Sequence, residues 1–265
     1  GELKLLSYNI HGLPPAITGD DTPARLEQIG PKLNDYTLVG LQEDWIKDNW
    51  KLLDGVAKHP HTERFTSQKK VAQGELPKVY GAGLSLYSVY PITKSAPQHF
   101  DKCHGLGSNA SDCLASKGFQ FSRLQVGAVE IDVYNTHMEA GGGAKDDEAR
   151  IEHGAKIVAA IKANSAGRAV ILMGDTNLRK LNKDGSTNAV ESKLLEDFEA
   201  VVTDSCAAVK CPDETHIDRV FFRAGDVVQL SAKSWADVSA EFKDDKGVDL
   251  SDHPPIKVVF SWSAK

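Results

Sequence analysis

The stretch AVILMGDTN, residues 169–177, decides how the rest of the chain is read. Ala169 through Met173 are apolar, and the branched residues among them suit a pleated sheet. After one glycine the chain then offers a carboxylate, a hydroxyl and an amide in Asp175, Thr176 and Asn177. A strand ending this way delivers polar groups to the rim of a sheet, held by rigid backbone yet open to a ligand. Gly-Asp-Thr-Asn is also good turn chemistry. The choice between the two readings rests on whether the pattern recurs.

It recurs from one end of the chain to the other. LLSYNIHG (5–12) supplies Asn9, LVGLQEDW (38–45) supplies Glu43, and VEIDVYNTHMEAG (129–141) supplies His137. HIDRVFF (216–222) places Asp218 at the start of a strand, and SDHPPI (251–256) sets Asp252 and His253 just before the last one. Singly, each has a bland explanation: a capping amide, a surface acid, a core histidine, a turn. Together the residue types form a working set. Carboxylates and an amide suit a hard divalent cation, and histidines suit proton transfer. Such oxygen ligands favour magnesium, with manganese or calcium as alternatives, over zinc.

Strand-like runs cover 4–9, 37–42, 83–89, 119–124, 128–136, 169–173, 217–222 and 256–262. Helical patterns cover 23–35, where Pro31 should bend or stop the helix, and 145–163 and 189–201. In the second helix Ile151, Ala155, Val158 and Ile161 read as the buried stripe. Many strands with few helices imply an α+β fold in four layers, two mostly antiparallel β-sheets packed together with helices outside. No linker or repeat divides residues 1–265, which read as one domain. The glycine-rich EAGGGAKDD (139–147) reads as a loop at the sheet's rim.

Composition narrows the partners. With 41% hydrophobic and 26% charged residues and no apolar run near the ~20 needed to cross a bilayer, stable membrane insertion is not expected. A net charge of -6 disfavours a surface that holds long polyanions by sequence-independent attraction. Cys103 with Cys113, and Cys206 with Cys211, each enclose a short loop without zinc-ligand spacing, so local disulfides are the better reading and point to an oxidising compartment. The chain runs from Gly1 straight into ELKLLSYNI, without a leader pattern. It is therefore expected to be a monomeric secreted or periplasmic protein whose signal peptide has been removed. NAS at Asn109 fits a glycosylation acceptor.

The ordered series SYNIHG, LQEDW, YNTHMEAG, GDTNLR, HIDRVFF and SDHPPI resembles the endonuclease/exonuclease/phosphatase superfamily, the DNase I-like fold. The resemblance implies a metal-dependent phosphate-ester hydrolase with Asn9, Glu43 and Asp252 at the metal and Glu43 the principal ligand. It implies that Asp175 and Asn177 hold the phosphate and the attacking water and that Asp218 orients His253. In chemical terms His253 is the base for an in-line water, and His137 either stabilises the pentacovalent centre or protonates the leaving alkoxide. Gly174 reads as a place where backbone comes close to the ligand.

For the substrate, a phospholipid head group and a nucleic acid both stay open. The segment containing SKGF (116–119) resembles the corresponding part of secreted bacterial neutral sphingomyelinases, which implies a phospholipase C-type phosphodiesterase. A DNase I-like endonuclease is the alternative, and a non-catalytic binding module on the same fold is a reading of another class. Arg179, directly after GDTN, and Lys117 read either as phosphate contacts or, as lone basic residues in loops more often are, as solvated, and His11 as either a pocket residue or a structural hydrogen-bonder. Trp45, Trp50 and Trp235 are the aromatics considered for bilayer contact, the first two also as core or rim residues.

Overall fold

The computed structural model describes residues 1–71, 77–105, 109–181, 184–212 and 215–265, the side chains of 109–111 excepted. The glycosylation signal at Asn109 thus falls outside the described side chains. In chain order the elements are β1 (Glu2–Asn9), α1 (Pro15–Thr18), α2 (Thr22–Lys32), β2 (Leu38–Gln42), α3 (Lys47–Asp54), β3 (His61–Phe65) and β4 (Leu84–Ser88). There follow β5 (Ile92–Ser95), β6 (Gln98–His99), β7 (Gly118–Val126), β8 (Val129–His137), α4 (Ala144–Asn164), β9 (Ala169–Asp175) and α5 (Ala189–Glu199). The chain closes with β10 (Thr203–Asp204), α6 (Ser205–Val209), β11 (Asp218–Arg223), β12 (Val228–Asp237) and β13 (Ile256–Ala264).

One sheet runs β12-β13-β1-β2-β4-β3 and the other β10-β11-β9-β8-β7-β5, with β6 also on β7. Each holds a single parallel pair, β1 with β2 and β8 with β9, and is otherwise antiparallel. Three apolar clusters explain the layering. Leu3, Leu5 and Phe260 of the first sheet meet Ile131, Ile171 and Met173 of the second between the sheets. On the outer side of the first sheet, Leu6, Tyr8 and Leu41 pack on Leu26, Ile29 and Leu53 of α2 and α3. On the outer side of the second, Val170, Leu172 and Phe221 pack on Ile157, Ile161 and Phe198 of α4 and α5. Alternate residues of β9 thus enter different cores, and a strand buried on both faces reads as one unbroken apolar run. Each fully buried leucine in these layers contributes roughly 1.5–3 kcal/mol.

The α4 stripe is half as expected: Ile161 is buried and Val158 packs against the same cluster, whereas Ile151 is 48% exposed and Ala155 lies outward, and Arg150, His153, Gly154 and Ile157 face inward in their place. Polar groups decide this. Arg150 donates to the carbonyls of Glu139 at 3.2 Å and Gly141 at 2.8 Å, and His153 bonds Glu139 N and the Lys102 carbonyl, so both side chains are wanted inside. At the start of the helix Asp146 accepts from Gly143 N at 2.8 Å. The helix over 23–35 ends at Lys32, one residue past Pro31, and continues as a 3-10 turn. Strand β12 escapes sequence reading because a bulge between Ala232 and Ser234 breaks its alternation. Both cysteine pairs are joined as disulfides. Among the described residues no helix is long and apolar enough to cross a membrane.

Candidate active site

Register across the second sheet builds one wall. On β9, Asp175 is the Cα partner of Asp218 on β11 and of His137 on β8, so three polar side chains stand on one transverse row. Hydrogen bonding of the strands therefore sets the spacing of these groups. His253, from the turn before β13, adds Nδ1 at 2.9 Å from Asp218 Oδ2 and Nε2 at 3.8 Å from Asp175 Oδ2. His137 Nε2 lies 3.5 Å from Asp175 Oδ2 and 3.9 Å from Glu43 Oε1.

The first sheet supplies the opposite wall. Asn9 ends β1 and Glu43 follows β2, and the Asn9 amide donates both to Glu43 Oε1 at 3.0 Å and to Asp175 Oδ2 at 3.1 Å. His11 Nδ1 sits 3.3 Å from Asp252 Oδ1 and 3.8 Å from Glu43 Oε2, so the two acids bracket one imidazole. Ser251 ties the Asp252 loop to β1 by donating to the Asn9 carbonyl at 2.7 Å. Asn177 donates its backbone N–H to Asp175 and its side-chain amide to the Met138 carbonyl. The residues expected at the site are thus linked by a continuous set of contacts, in which Asn9, Asp175 and Asp218 are buried and Asp252 is the most exposed.

The backbone is strained where the site is built. Of the four non-glycine residues with positive φ among the described residues, three are His11, Glu43 and Asn177. Such conformations cost about 1–3 kcal/mol each and persist only where the surroundings impose them. Gly12 is part of that imposition: a Cβ there would stand 2.3 Å from the Glu43 carbonyl oxygen. Gly174 requires a correction. Its φ is 140°, and a Cβ would meet the Thr136 carbonyl oxygen at 1.9 Å, so its missing side chain admits the neighbouring strand β8 and not a ligand.

A cavity of about 360 Å³ opens here, lined by Glu43, His137, Asp252 and Lys117 and by the apolar Leu13, Ile17, Trp45, Tyr80 and Leu114. Lys117 is another correction: far from being solvated, it is 5% exposed. It pairs with Asp112 at 2.6 Å and approaches His137 Nε2 at 3.1 Å. A lysine in a loop gives no sequence signal of burial. Only β7 pairing with β8, which sets Gly118 opposite His137, brings its neighbour inside. His11 lines the cavity and is also tied into the structure, its N–H donating to Asn9 Oδ1 and its carbonyl accepting from Arg25, so it answers to both readings. Trp45 packs between Tyr80 and His137, Trp50 lies against Arg64, and Trp235 against His216, so all three have protein neighbours.

Electrostatics divide the two main histidines. Burial disfavours the charged form of His253, but the hydrogen bond and charge of Asp218, followed by Asp175 and Asp252, overcome it and raise the group to about 10. His137 is held well below its ordinary value, first by burial and then by Lys117. Burial raises Asp175 to about 6, with the charge of Asp218 pushing the same way, and burial likewise raises Glu43 and Asp218.

The donor set fits a hard cation. Glu43 Oε2 is buried without a hydrogen-bond partner, and carboxylates crowd a cleft that burial makes costly for their charge. A turn of the Asn9 amide about its last bond would present oxygen in place of nitrogen. Asp175, Asp218 and His253 form a second group whose donor atoms lie within 4.8 Å of one another.

The model of the endonuclease/exonuclease/phosphatase family matches residues 6–253, and the chain belongs to that family. It is 28% identical over 283 aligned residues to a sphingomyelinase of Mycobacterium tuberculosis, covering 100% of this chain and 54% of the relative. The chain thus spans about half the length of the curated relatives it matches. Among solved structures it resembles the Staphylococcus aureus beta toxin with bound magnesium ions, at TM-score 0.70, 19% identity and coverage of 97% and 99% of the two chains. It also resembles D. rerio TDP2 complexed with a single-stranded DNA product, at TM-score 0.73, 17% identity and coverage of 98% and 99%. At such identities the likeness speaks for the fold alone.

Proposed function

We propose that residues 1–265 form one catalytic domain that hydrolyses a phosphodiester with the help of a divalent cation, magnesium by preference, and that its substrate is a sphingomyelin-type phospholipid. The observation that carries this reading is the Asn9 amide, which joins Glu43 of one sheet to Asp175 of the other beside a cavity that Glu43 and His137 line together with Leu13, Ile17, Trp45, Tyr80 and Leu114. A long acyl substrate has reason to seek such an apolar lining. The sphingomyelinase relative supports the same choice. The two disulfides accord with a secreted or periplasmic setting, and we take the protein to act as a monomer.

In this reading Asn9, Glu43 and Asp252 hold the cation. When bound, it neutralises charge that grows on the phosphoryl oxygens. His253 takes the proton of the attacking water through Nε2, while Asp218 accepts the hydrogen bond of Nδ1–H and fixes the ring. An unliganded cluster of acids keeps His253 protonated, and cationic charge in the cleft opposes that protonation. Asp175 and Asn177 hold the phosphoryl group and the water. Burial and the neighbouring Lys117 ammonium hold His137 well below its ordinary value, so of its two roles we assign it stabilisation of the phosphoryl centre, and the alkoxide released as the P–O bond breaks takes its proton from solvent.

A substrate panel with magnesium against an EDTA control tests this: sphingomyelin liposomes, double-stranded DNA, RNA and bis-p-nitrophenyl phosphate. Phosphocholine release with intact DNA supports the lipid reading. Nicked plasmid with untouched lipid replaces it by a DNase I-like endonuclease. No turnover on any substrate leaves the binding-module reading in its place.

A further inference from the structure

Beside the catalytic cavity lies a second one, of about 380 Å³, to which no step of hydrolysis has been assigned. Ala115 and Lys117 stand in the walls of both. Six lysines line it against two acids, Asp101 and Glu148, although the whole chain carries a net charge of -6. Some of this charge is spent. Lys117 pairs with Asp112, while Asp101 is held by Lys69 and Lys156, which keep its carboxyl at about 2. Lys70, Lys102 and Lys145 are exposed, and among the described residues none of their ammonium groups has an acidic partner.

Two exposed apolar side chains neighbour these cavities. Val79 is 53% exposed and lies in sequence between Lys78 of the lysine cavity and Tyr80 of the catalytic one. Ile17, on the rim of the catalytic cavity, is 60% exposed. Cationic side chains next to exposed aliphatic ones match the two layers of a membrane surface, headgroup anions and the acyl boundary beneath them.

We propose that the lysine-lined cavity is a docking site for the phosphate groups of anionic phospholipids, which holds the catalytic mouth against the membrane. Its purpose rests on the lipid reading of the substrate, but its existence does not, because binding is measured without turnover.

The test is co-sedimentation of the EDTA-treated full chain with vesicles of phosphatidylcholine alone or of phosphatidylcholine mixed with phosphatidylglycerol, at fixed ionic strength. The expected result is tighter binding to the mixed vesicles, weakened by added salt. Each lysine near an anionic surface is worth roughly a fivefold change, so the triple variant K70Q/K102Q/K145Q should lose on the order of a hundredfold and K102Q alone about fivefold. Thermal unfolding of each variant checks that it folds. Equal binding to both vesicle types, or a folded triple variant that binds like the parent, overturns the proposal. Release of the protein from mixed vesicles by millimolar inorganic phosphate at constant ionic strength reassigns the cavity to free phosphate. Duplex DNA bound more tightly than mixed vesicles, with the same lysine dependence, reassigns it to nucleic acid.

Discussion

Asn9 and Asp175 belong to different sheets, yet the amide of one donates to the carboxylate of the other at 3.1 Å. The same amide reaches Glu43 at 3.0 Å, so a single side chain couples the cation-holding wall to the row of β8, β9 and β11. Small changes along this link should act on chemistry before they act on folding.

Glu43→Gln keeps the size of the side chain and removes the charge. Turnover should fall by roughly 10²–10³-fold or more. Magnesium binding measured by calorimetry should weaken with it, and the unfolding midpoint should stay close to that of the parent. A variant that keeps full turnover removes Glu43 from the site.

Asp218→Asn keeps the shape but offers His253 Nδ1 a different partner, so the ring loses the fixed tautomer that leaves Nε2 free. Turnover should fall on the order of 10²–10⁴-fold with little change in KM. A loss confined to KM instead points to a binding role.

Gly174→Ala tests a structural claim. With φ at 140° and the Thr136 carbonyl 1.9 Å from the new Cβ, β8 and β9 must separate. A cost of about 2–4 kcal/mol is expected, seen as a Tm fall of roughly 5–15 °C. An unchanged Tm contradicts this account of the glycine.

Acid should destabilise the protein through His153. Burial, with help from Lys117, Lys156 and Arg150, lowers this group to about 3, and both ring nitrogens are engaged in its neutral form. The folded state therefore resists a proton that the unfolded chain accepts near 6.5. The stabilisation is fully present above 6.5 and is lost as pH falls from there toward 3, by up to about 1.4 kcal/mol per pH unit. Urea unfolding across that window should show the slope, and His153→Gln should flatten it.

The strand ends are legible in the sequence because each combines two signals, an apolar run and a polar residue type with a job to do, after the run for Asn9, Glu43, His137 and Asp175 and before it for Asp218 and His253. Lys117 and Asp112 are not, because their burial depends on a loop that no periodicity describes. In α4 the pattern finds Val158 and Ile161 but not the first two turns, where Arg150 and His153 are drawn inward by backbone carbonyls and amides that a hydrophobic pattern ignores. Gly174 was correctly singled out but for the wrong neighbour, since the contact that matters lies across a strand pairing and not along the chain.

The central claim is that the acids and amide at the floor of the cleft hold a cation that hydrolysis requires. The most direct test is bis-p-nitrophenyl phosphate turnover by EDTA-stripped protein as magnesium is titrated back, run in parallel with the Glu43→Gln variant. The account predicts negligible turnover without metal, saturable recovery in the parent and recovery displaced to much higher magnesium in the variant. Undiminished turnover by the stripped protein, or identical titration curves for the two, would contradict it.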